Sequence, residues 1–454
     1  MAQIKQRKDF SYSSKNLRDI AQDILEYARS RGATACETDI SEGFGQSVSV
    51  RRGAVETIEY NRDKGIGVTV YLGQQRGHAS SSDFSRSAVR ATVDAALSIA
   101  GFTAPDPCAG LADEKLLWRG KNSDLDKLAL YHPWQITVED AVELAKRCEA
   151  AAFAVSPEIH NSEGANVSRQ ESQFVSANSL GFCAGFSTSR HSLSCSVIAG
   201  EGENMQRDDW YASKRNANEL PAAERIGDYA ARRALSRLGA KRVTTCEAPV
   251  IFDAPLACGL LGNFVHAASG GSLYRRSSFL LDSLGEQIFS PIVQLSEQPH
   301  LPNSLASTLF DDEGVATQTR QVVSDGVLQG YFLGSYSARK LGMQTTGNAG
   351  GNHNLILRTG DKNVVELARE IGRGLLVTEL LGQGVNYVTG DYSRGAAGYW
   401  IEGGEIRHPV QEITIAGNLR DMFKDIRAVG NDVVIHGAKQ TGSILVGRMM
   451  IAGE

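Results

Sequence analysis

The chain has 454 residues, of which 42% are hydrophobic and 22% charged, with a formal net charge of −5. These are the proportions of a globular protein of two or three domains, with a core large enough to need neither disulfides nor a structural metal. The acidic balance, with no basic run longer than pairs such as Arg51-Arg52 and Arg275-Arg276, excludes a phosphate-collecting field and with it nucleic acid as an expected partner.

The segment from Met1 to Phe10 carries charges with no apolar stretch behind them, unlike a signal peptide. No run of about 18 apolar residues occurs, so no membrane-spanning helix is expected. The seven cysteines (Cys36, Cys108, Cys148, Cys183, Cys195, Cys246 and Cys258) form no CxxC pair. They read as reduced thiols, and the expected location is cytoplasmic.

In chain order, Leu17, Ile20, Ala21, Ile24, Leu25 and Ala28 fall on one face of a helix from about Lys15 to Ser30, with Ser14 as the expected cap and Gly32 as the stop. A strand-rich meander follows from Cys36 to about Ser82, with turns expected at Gly53 and at Asp63-Lys-Gly65. A helix from Ser85 to Ala100 closes this first lobe, about 15–101. Pro105, Pro107 and Pro133 mark a linker over 102–136. The order then repeats over about 137–240: a helix opening at Thr137-Val-Glu-Asp140, a second meander from Glu158 to Trp210, and a helix from Ala222 to Leu238. The two lobes make an N-terminal α+β domain, 1–245, of helices and antiparallel meander sheets.

The remainder, 246–454, reads as curved antiparallel sheets with helices. Pro249–Phe252 is a strand and Leu256–Ala268 a helix of small and apolar residues. Hairpins are expected at Asp325-Gly326 and Gly403-Gly404. Glycines gather at Gly270-Gly271, Gly347 to Gly351, Gly382 to Gly384 and Gly390 to Gly398. Two readings stand: a groove whose edge strand takes an extended peptide, or a set of tight turns and bulges. In either, the residues to watch are Gly270, Gly271, Tyr274, Arg275, Gly350, Gly351, Asp391, Tyr392, Arg394 and Tyr399. No phosphate-cradling loop or G-x-S-x-G elbow is present.

Zinc peptidase chemistry needs imidazoles on one helical face and a carboxylate beside them. None of the nine histidines is followed by Glu, and none lies within five residues of another. His191 and Cys195 are four apart in a strand-like run, where that spacing spans about 13 Å, too far to share an ion. His266 stands alone on its helix. Asp311-Asp312-Glu313 reads as a solvated loop cluster.

Several long motifs, in order, carry a resemblance. They are Gly270-Gly-Ser-Leu-Tyr-Arg-Arg-Ser-Ser-Phe-Leu-Leu-Asp-Ser-Leu-Gly285, Thr346-Gly-Asn-Ala-Gly-Gly351, Thr378-Glu-Leu-Leu-Gly-Gln-Gly-Val385, Thr389-Gly-Asp-Tyr-Ser-Arg-Gly-Ala-Ala-Gly-Tyr-Trp400 and Glu412-Ile-Thr-Ile-Ala-Gly-Asn418. Ala104–Gly110 and Ser187–Ser194 are weaker matches. Together they resemble the PmbA/TldE branch of the TldD/PmbA family, over nearly the whole chain. The resemblance implies a cytosolic peptidase of two related subunits. It implies that zinc sits in the TldD-type partner, held by a His-Glu-x-x-x-His helix and a Cys near the C-terminus. The family trims unfolded peptides, matures a peptide-antibiotic precursor and degrades an antitoxin; an older family label is modulator of DNA gyrase. Here the matching helix, Leu256–Ala268, lacks that motif, and Thr441-Gly-Ser443 stands where the Cys is expected. The expectation is a non-catalytic subunit without metal or other cofactor. Its partners would be a TldD-like chain, extended peptides and, in isolation, a second copy of itself. An autonomous hydrolase with an unrecognised site and a topoisomerase-linked regulator are the alternatives.

Overall fold

The computed structural model describes residues 10–453, apart from the side chain at 122; the N-terminal segment read above as unlike a signal peptide lies mostly outside the described residues. The first part of the chain runs α1 (Ser14–Ser30), β1 (Ala35–Arg51), β2 (Ala54–Leu72), β3 (Gln75–Ser81), α2 (Arg86–Phe102), α3 (Asn122–Asp126), α4 (Val138–Phe153), β4 (Ile159–Asn178), β5 (Cys183–Ala184), β6 (Ser187–Ala199), β7 (Gln206–Lys214) and α5 (Ala223–Ser236). Capping chemistry sets the helix starts. Ser13, one residue before the expected cap, accepts from the Asn16 N–H while the Asn16 carboxamide accepts from the Ser13 N–H. Thr137 caps α4 as its sequence suggested.

The two helix–meander–helix units share one seven-stranded antiparallel sheet, ordered β3-β2-β1-β4-β6-β7 with β5 beside β4. The joint is β1 against β4, paired from Glu37–Asn178 to Val50–Ala165. Asp63-Lys-Gly65, expected as a turn, lies inside β2: Ser41 to Gly43 of β1 pair straight across it, so the cross-strand ladder overrides the local turn preference. All four long helices cover one face, because the buried residues of β1, Gly45 apart, keep a single parity. Ile40 meets α1 and α2, and Val48 meets α4 and α5. The opposite face carries small polar side chains in register, Ser49–Asn166–Ser194 and Ser47–Ser168–Ser192.

The second part runs β8 (Cys246–Phe252), α6 (Ala254–Ala267), α7 (Gly270–Tyr274), β9 (Leu295–Glu297), β10 (Arg320–Ser324), β11 (Val327–Leu328), α8 (Ser335–Lys340), β12 (Leu355–Leu357), α9 (Val364–Ile371), β13 (Arg373–Leu381), β14 (Asp391–Glu402), β15 (Glu405–Asn418), α10 (Leu419–Lys424), β16 (Ile426–Val429), β17 (Val434–His436), β18 (Lys439–Thr441) and β19 (Ile444–Ala452). The hairpins turn at Asp325-Gly326 and Gly403-Gly404, all four with positive φ. One sheet is ordered β11-β10-β9-β12-β18-β17 and the other β15-β14-β13-β8-β19-β16. The second closes on itself, because Thr414, Ile415 and Ala416 of β15 pair with Ala452, Ile451 and Met450 of β19. The class is α+β with mainly antiparallel sheets; β8–β13 and β12–β18 are the parallel pairs. Phe264, Phe289, Phe332 and Phe423 centre the largest core.

The 102–136 stretch packs at the junction of the two parts. Leu117 bridges to Val315, and the Phe310 ring gathers Trp118, Phe174, Phe182 and Phe186. Arg339 donates to the carbonyls of Cys108, Gly110 and Leu111, which holds the segment down.

Candidate functional site

Two places deserve the name of site, one on α6 and one at the junction. Asp253 caps α6 and Pro255 occupies its first turn, where the missing N–H is harmless. The helix buries Ala257, Leu260, Leu261, Phe264 and Ala267 in the core. Its other side meets β17 and β18. There the Cys258 thiol lies 3.9 Å from the Val434 carbonyl and 3.8 Å from that of Lys439. Burial pushes this thiol up to about 11, so it stays protonated at neutral pH. A Cβ on Gly262 would lie 3.6 Å from Cε of Lys439 and 3.9 Å from its Nζ. Burial pulls the Lys439 ammonium down from its usual value. Asn263 accepts from the Tyr387 hydroxyl at 2.9 Å, and the His266 ring stacks 4.0 Å from Tyr387. Near the C-terminus Thr441 and Ser443 are fully buried, and Ser443 donates to Asp432 at 2.6 Å.

These residues do not fit a zinc ion. No register along α6 offers His, Glu and a second His, the one thiol is protonated, and an ammonium lies over Gly262. Among the described residues no group of three or more His, Cys, Asp or Glu side chains stands close enough to hold a metal.

The second place is a cavity of about 590 Å³ between the N-terminal sheet and the loops of the second part. Asp39 and Ser176 line it from β1 and β4, with Phe174, Phe186 and Arg215; Ser307, Thr308, Phe310 to Asp312 and Ala349 to His353 line it from the second part. Asp311, expected in a solvated cluster, is buried. It accepts from the N–H groups of Glu313 (3.0 Å), Val315 (2.9 Å) and Ala349 (3.0 Å). Three backbone donors replace the water that this carboxylate gives up, which lets Asp311 fold inward while Asp312 stays exposed. Burial still outweighs them and pushes Asp311 up to about 7. Asp39 and Asp312 are also raised by burial, Asp312 further by the Asp39 charge. Both keep solvent contact, so the crowding is that of a recess rather than a dry core. Next to Asp39, Glu37 is pushed up to about 7 by burial, against the pull of its hydrogen bond from Tyr71. Arg215 faces this acidic wall with its guanidinium spent on the carbonyls of Ser304 and Leu305, at 2.8 Å each, and of Leu130 and Ser189.

The residues singled out from the sequence do not converge. Gly350 and Gly351, both with positive φ, line the cavity, and a Cβ on Gly350 would strike the Asp312 carboxylate. Gly270 lets α7 close on Ser337 of α8, and Gly271 lies under the Arg275 guanidinium. Tyr274 stacks edge-on with Tyr336 and takes Arg275 over its ring. Asp391 accepts from Thr389 and Asn418 in an exposed turn. Tyr392 is buried against Phe252; the half-buried Arg394 lies near the Leu381 carbonyl; Tyr399 hydrogen-bonds Ser236 of α5. Sequence reasoning missed Asp39, Arg215 and Phe310, which are 271 positions apart at the extremes and meet only in the folded chain.

Three models of the PmbA/TldA metallopeptidase match the chain: domain 1 over residues 36–100, the central domain over 131–238 and the C-terminal domain over 245–453. The chain is 47% identical to the metalloprotease PmbA of Escherichia coli O157:H7, over 97% of each, and 46% identical to a PmbA homologue of Haemophilus influenzae, over 96% of each. A solved structure described as a putative modulator of DNA gyrase, from Bacteroides thetaiotaomicron, superposes with a TM-score of 0.91 at 28% identity, covering 97% of this chain and 100% of that one. TldE from Thermococcus kodakarensis shares the fold, with a TM-score of 0.83 at 20% identity over 96% of this chain and 100% of that one. Motifs, domain order and fold thus agree, and the chain belongs to the PmbA/TldD metallopeptidase family, on its PmbA/TldE branch.

Proposed function

We propose that this chain is the zinc-free, non-catalytic subunit of a two-subunit cytoplasmic metallopeptidase, and that a TldD-like partner supplies the metal. The observation that carries the reading is on α6: the family's ligand helix here presents Gly262 and Asn263, with the Lys439 ammonium lying over the glycine. A fixed positive charge at that spot opposes a divalent cation, and nothing nearby activates a water.

What remains for this chain is to shape the space where the substrate is held. The middle of the helix-free face of the N-terminal sheet carries short, uncharged Ser and Asn side chains, some of them bonded to each other; Asn166 donates to Ser47, and Ser49 pairs with Thr57. The middle of such a wall offers little apolar surface to trap a passing chain. The junction cavity adds acidic groups at Asp39 and Asp312 and close backbone approach at Gly350 and Gly351. An extended peptide uses its main chain for affinity, so the substrates are peptides without stable structure, including an antitoxin and a peptide-antibiotic precursor.

The test is metal content and cleavage of a disordered peptide by this chain alone, by the partner alone and by both. The expected outcome is less than a tenth of an equivalent of zinc on this chain, no cleavage by it, and chelator-sensitive cleavage by the pair. Stoichiometric zinc and chelator-sensitive cleavage by this chain alone would overturn the reading.

A further inference from the structure

A corner of positive charge without a counterion lies where α6, the β17–β18 hairpin and the helix-free face of the N-terminal sheet meet. On that face Ser192 pairs with Ser213, and Ser194 with Tyr211. Side chains two apart along a strand share a face, so Arg190 and Tyr211 project from the same wall as these serines. At the tip of the hairpin His436 pairs with Lys439 across the Gly437-Ala438 turn, where Gly437 has positive φ. Opposed residues point to the same side, which sets the imidazole beside the ammonium. The Tyr211 hydroxyl lies 2.6 Å from Nδ1 of His436 and ties the hairpin to the wall. Lys439 reaches on to α6, over Gly262.

The cations here are not neutralised. Among the described residues neither Lys439 nor Arg190 has a carboxylate partner; Arg190 spends its Nε on the Ser213 hydroxyl, at 2.9 Å. Burial, then the charges of Lys439 and Arg190, pull His436 below its usual value, so its ring is neutral at neutral pH. Burial raises the Tyr211 hydroxyl, against the pull of the Arg190 charge, so it keeps its proton as a donor. Asp209, the next residue along this face of β7, feels the charges of Arg207 and Arg233. Like charges crowded in this way repel one another, and an entering anion relieves the cost.

Room for the anion is left on α6. A Cβ added at Gly259 would meet nothing within 4 Å, and one at Gly262 only the Lys439 side chain. Residues three apart lie on one side of a helix, so a main chain can approach α6 closely there.

We propose that this corner holds the C-terminal carboxylate of an extended peptide, with Lys439 and Arg190 as its charged donors and the Tyr211 hydroxyl as a neutral one. The inference rests on the peptide-holding role proposed above and names the end of the peptide that is read. Main-chain pairing gives affinity whatever the side chains, but by itself it leaves the register of a bound strand weakly specified. Peptides of any sequence still end in a carboxylate, so a charged corner beside the sheet sets the register of all of them. Charge-assisted hydrogen bonds are roughly twice as strong as neutral ones, which suits recognition of one small group.

The test compares two short disordered peptides, identical except that one ends in a free carboxylate and the other in an amide. Fluorescence anisotropy of an N-terminal dye measures their binding to the full chain alone and to its complex with the proposed zinc-bearing partner, kept in chelator so that nothing is cleaved. The free carboxylate is expected to bind about tenfold more tightly. Lys439→Gln and Arg190→Gln should each bring the two affinities to within about threefold by weakening only the carboxylate peptide. Arg190 is exposed, and circular dichroism controls for folding of both variants. An amidated peptide with one internal Glu should bind like the plain amide. Equal affinity for carboxylate and amide, no binding of either, equal loss of both peptides in the variants, or an internal Glu that replaces the free end would overturn the proposal. Cleavage by the zinc-loaded pair, measured on the same preparations, separates the two questions. A pair that cleaves but ignores the carboxylate refutes the corner and leaves the two-subunit reading standing. A chain that prefers the carboxylate yet cleaves without a partner refutes that reading and supports the corner.

Discussion

The N-terminal sheet and the C-terminal sheets solve the same problem differently. In the C-terminal part, β15 pairs with both β14 and β19, so β14, β13, β8, β19 and β15 form a ring, which shares a core with interlocked phenylalanines of the neighbouring helices and loops. The N-terminal sheet stays open, covers one face with four helices and leaves the other face and the β2 edge bare. Closure removes the positions at which a strand can be added; an open sheet keeps them. The bare β2 edge therefore lies in the N-terminal half, and the C-terminal part keeps open ends outside the ring, as at β11 and β17 of its other sheet, whereas the density of glycines directs the eye to the ring. Those glycines largely serve tight turns and close approaches inside the ring, as at Gly403-Gly404 and at Gly398 against the Leu376 carbonyl.

The contrast gives a ranking of effects. Phe264→Ala removes the ring at the centre of the largest core and should cost about 3–5 kcal/mol in denaturant melts; a loss below about 1 kcal/mol would show that this core is not as tightly packed as its buried rings imply. Gly227→Ala tests the helix layer of the open sheet. A Cβ there would press into the Cys148 carbonyl where α5 crosses α4, so a loss of about 1–3 kcal/mol is expected. Glu37→Gln tests the recess behind the junction cavity. Burial raises Glu37 from 4.5 to about 7, so the folded chain binds this proton more tightly than the unfolded chain does. The penalty is absent below about pH 4, grows as pH rises, and is complete above about pH 7. The wild type should therefore lose stability across that window, and Glu37→Gln should flatten the fall by about 1–2 kcal/mol, allowing for the partial exposure of the group. The smallest effect belongs to the bare edge. Tyr60→Ala, measured at a concentration where the chain is monomeric, should change stability by less than about 0.5 kcal/mol. A larger loss would mean that Tyr60 is packed within its own chain.

Much of this architecture can be read locally. The helix over Ser14–Ser30 follows from six apolar residues at helical spacing, and the turns at Asp325-Gly326 and Gly403-Gly404 follow from residues that tolerate positive φ. The absence of zinc ligands on α6 is likewise visible in a string of letters, because a helical donor set must lie within a few residues. The junction cavity was illegible for the opposite reason. Asp39, Arg215 and Asp311 come from distant segments, and nothing beside Asp311 in sequence reveals that three backbone N–H groups will turn its carboxylate inward. Asp63-Lys-Gly65 shows the same limit from the other side: a good turn sequence stays extended because the whole length of β1 pairs across it.

The amino-acid sequence alone thus determined the elements, the repeated helix–meander–helix order, the family and the lack of a ligand helix, all of which depend on residues close together in the chain. Tertiary structure decided that the two repeats share one sheet, that the C-terminal sheet closes into a ring, and that acidic groups gather at the junction. Those outcomes depend on which strands pair across the chain and which carboxylates lose water, and both are set by packing between segments that are not neighbours in sequence.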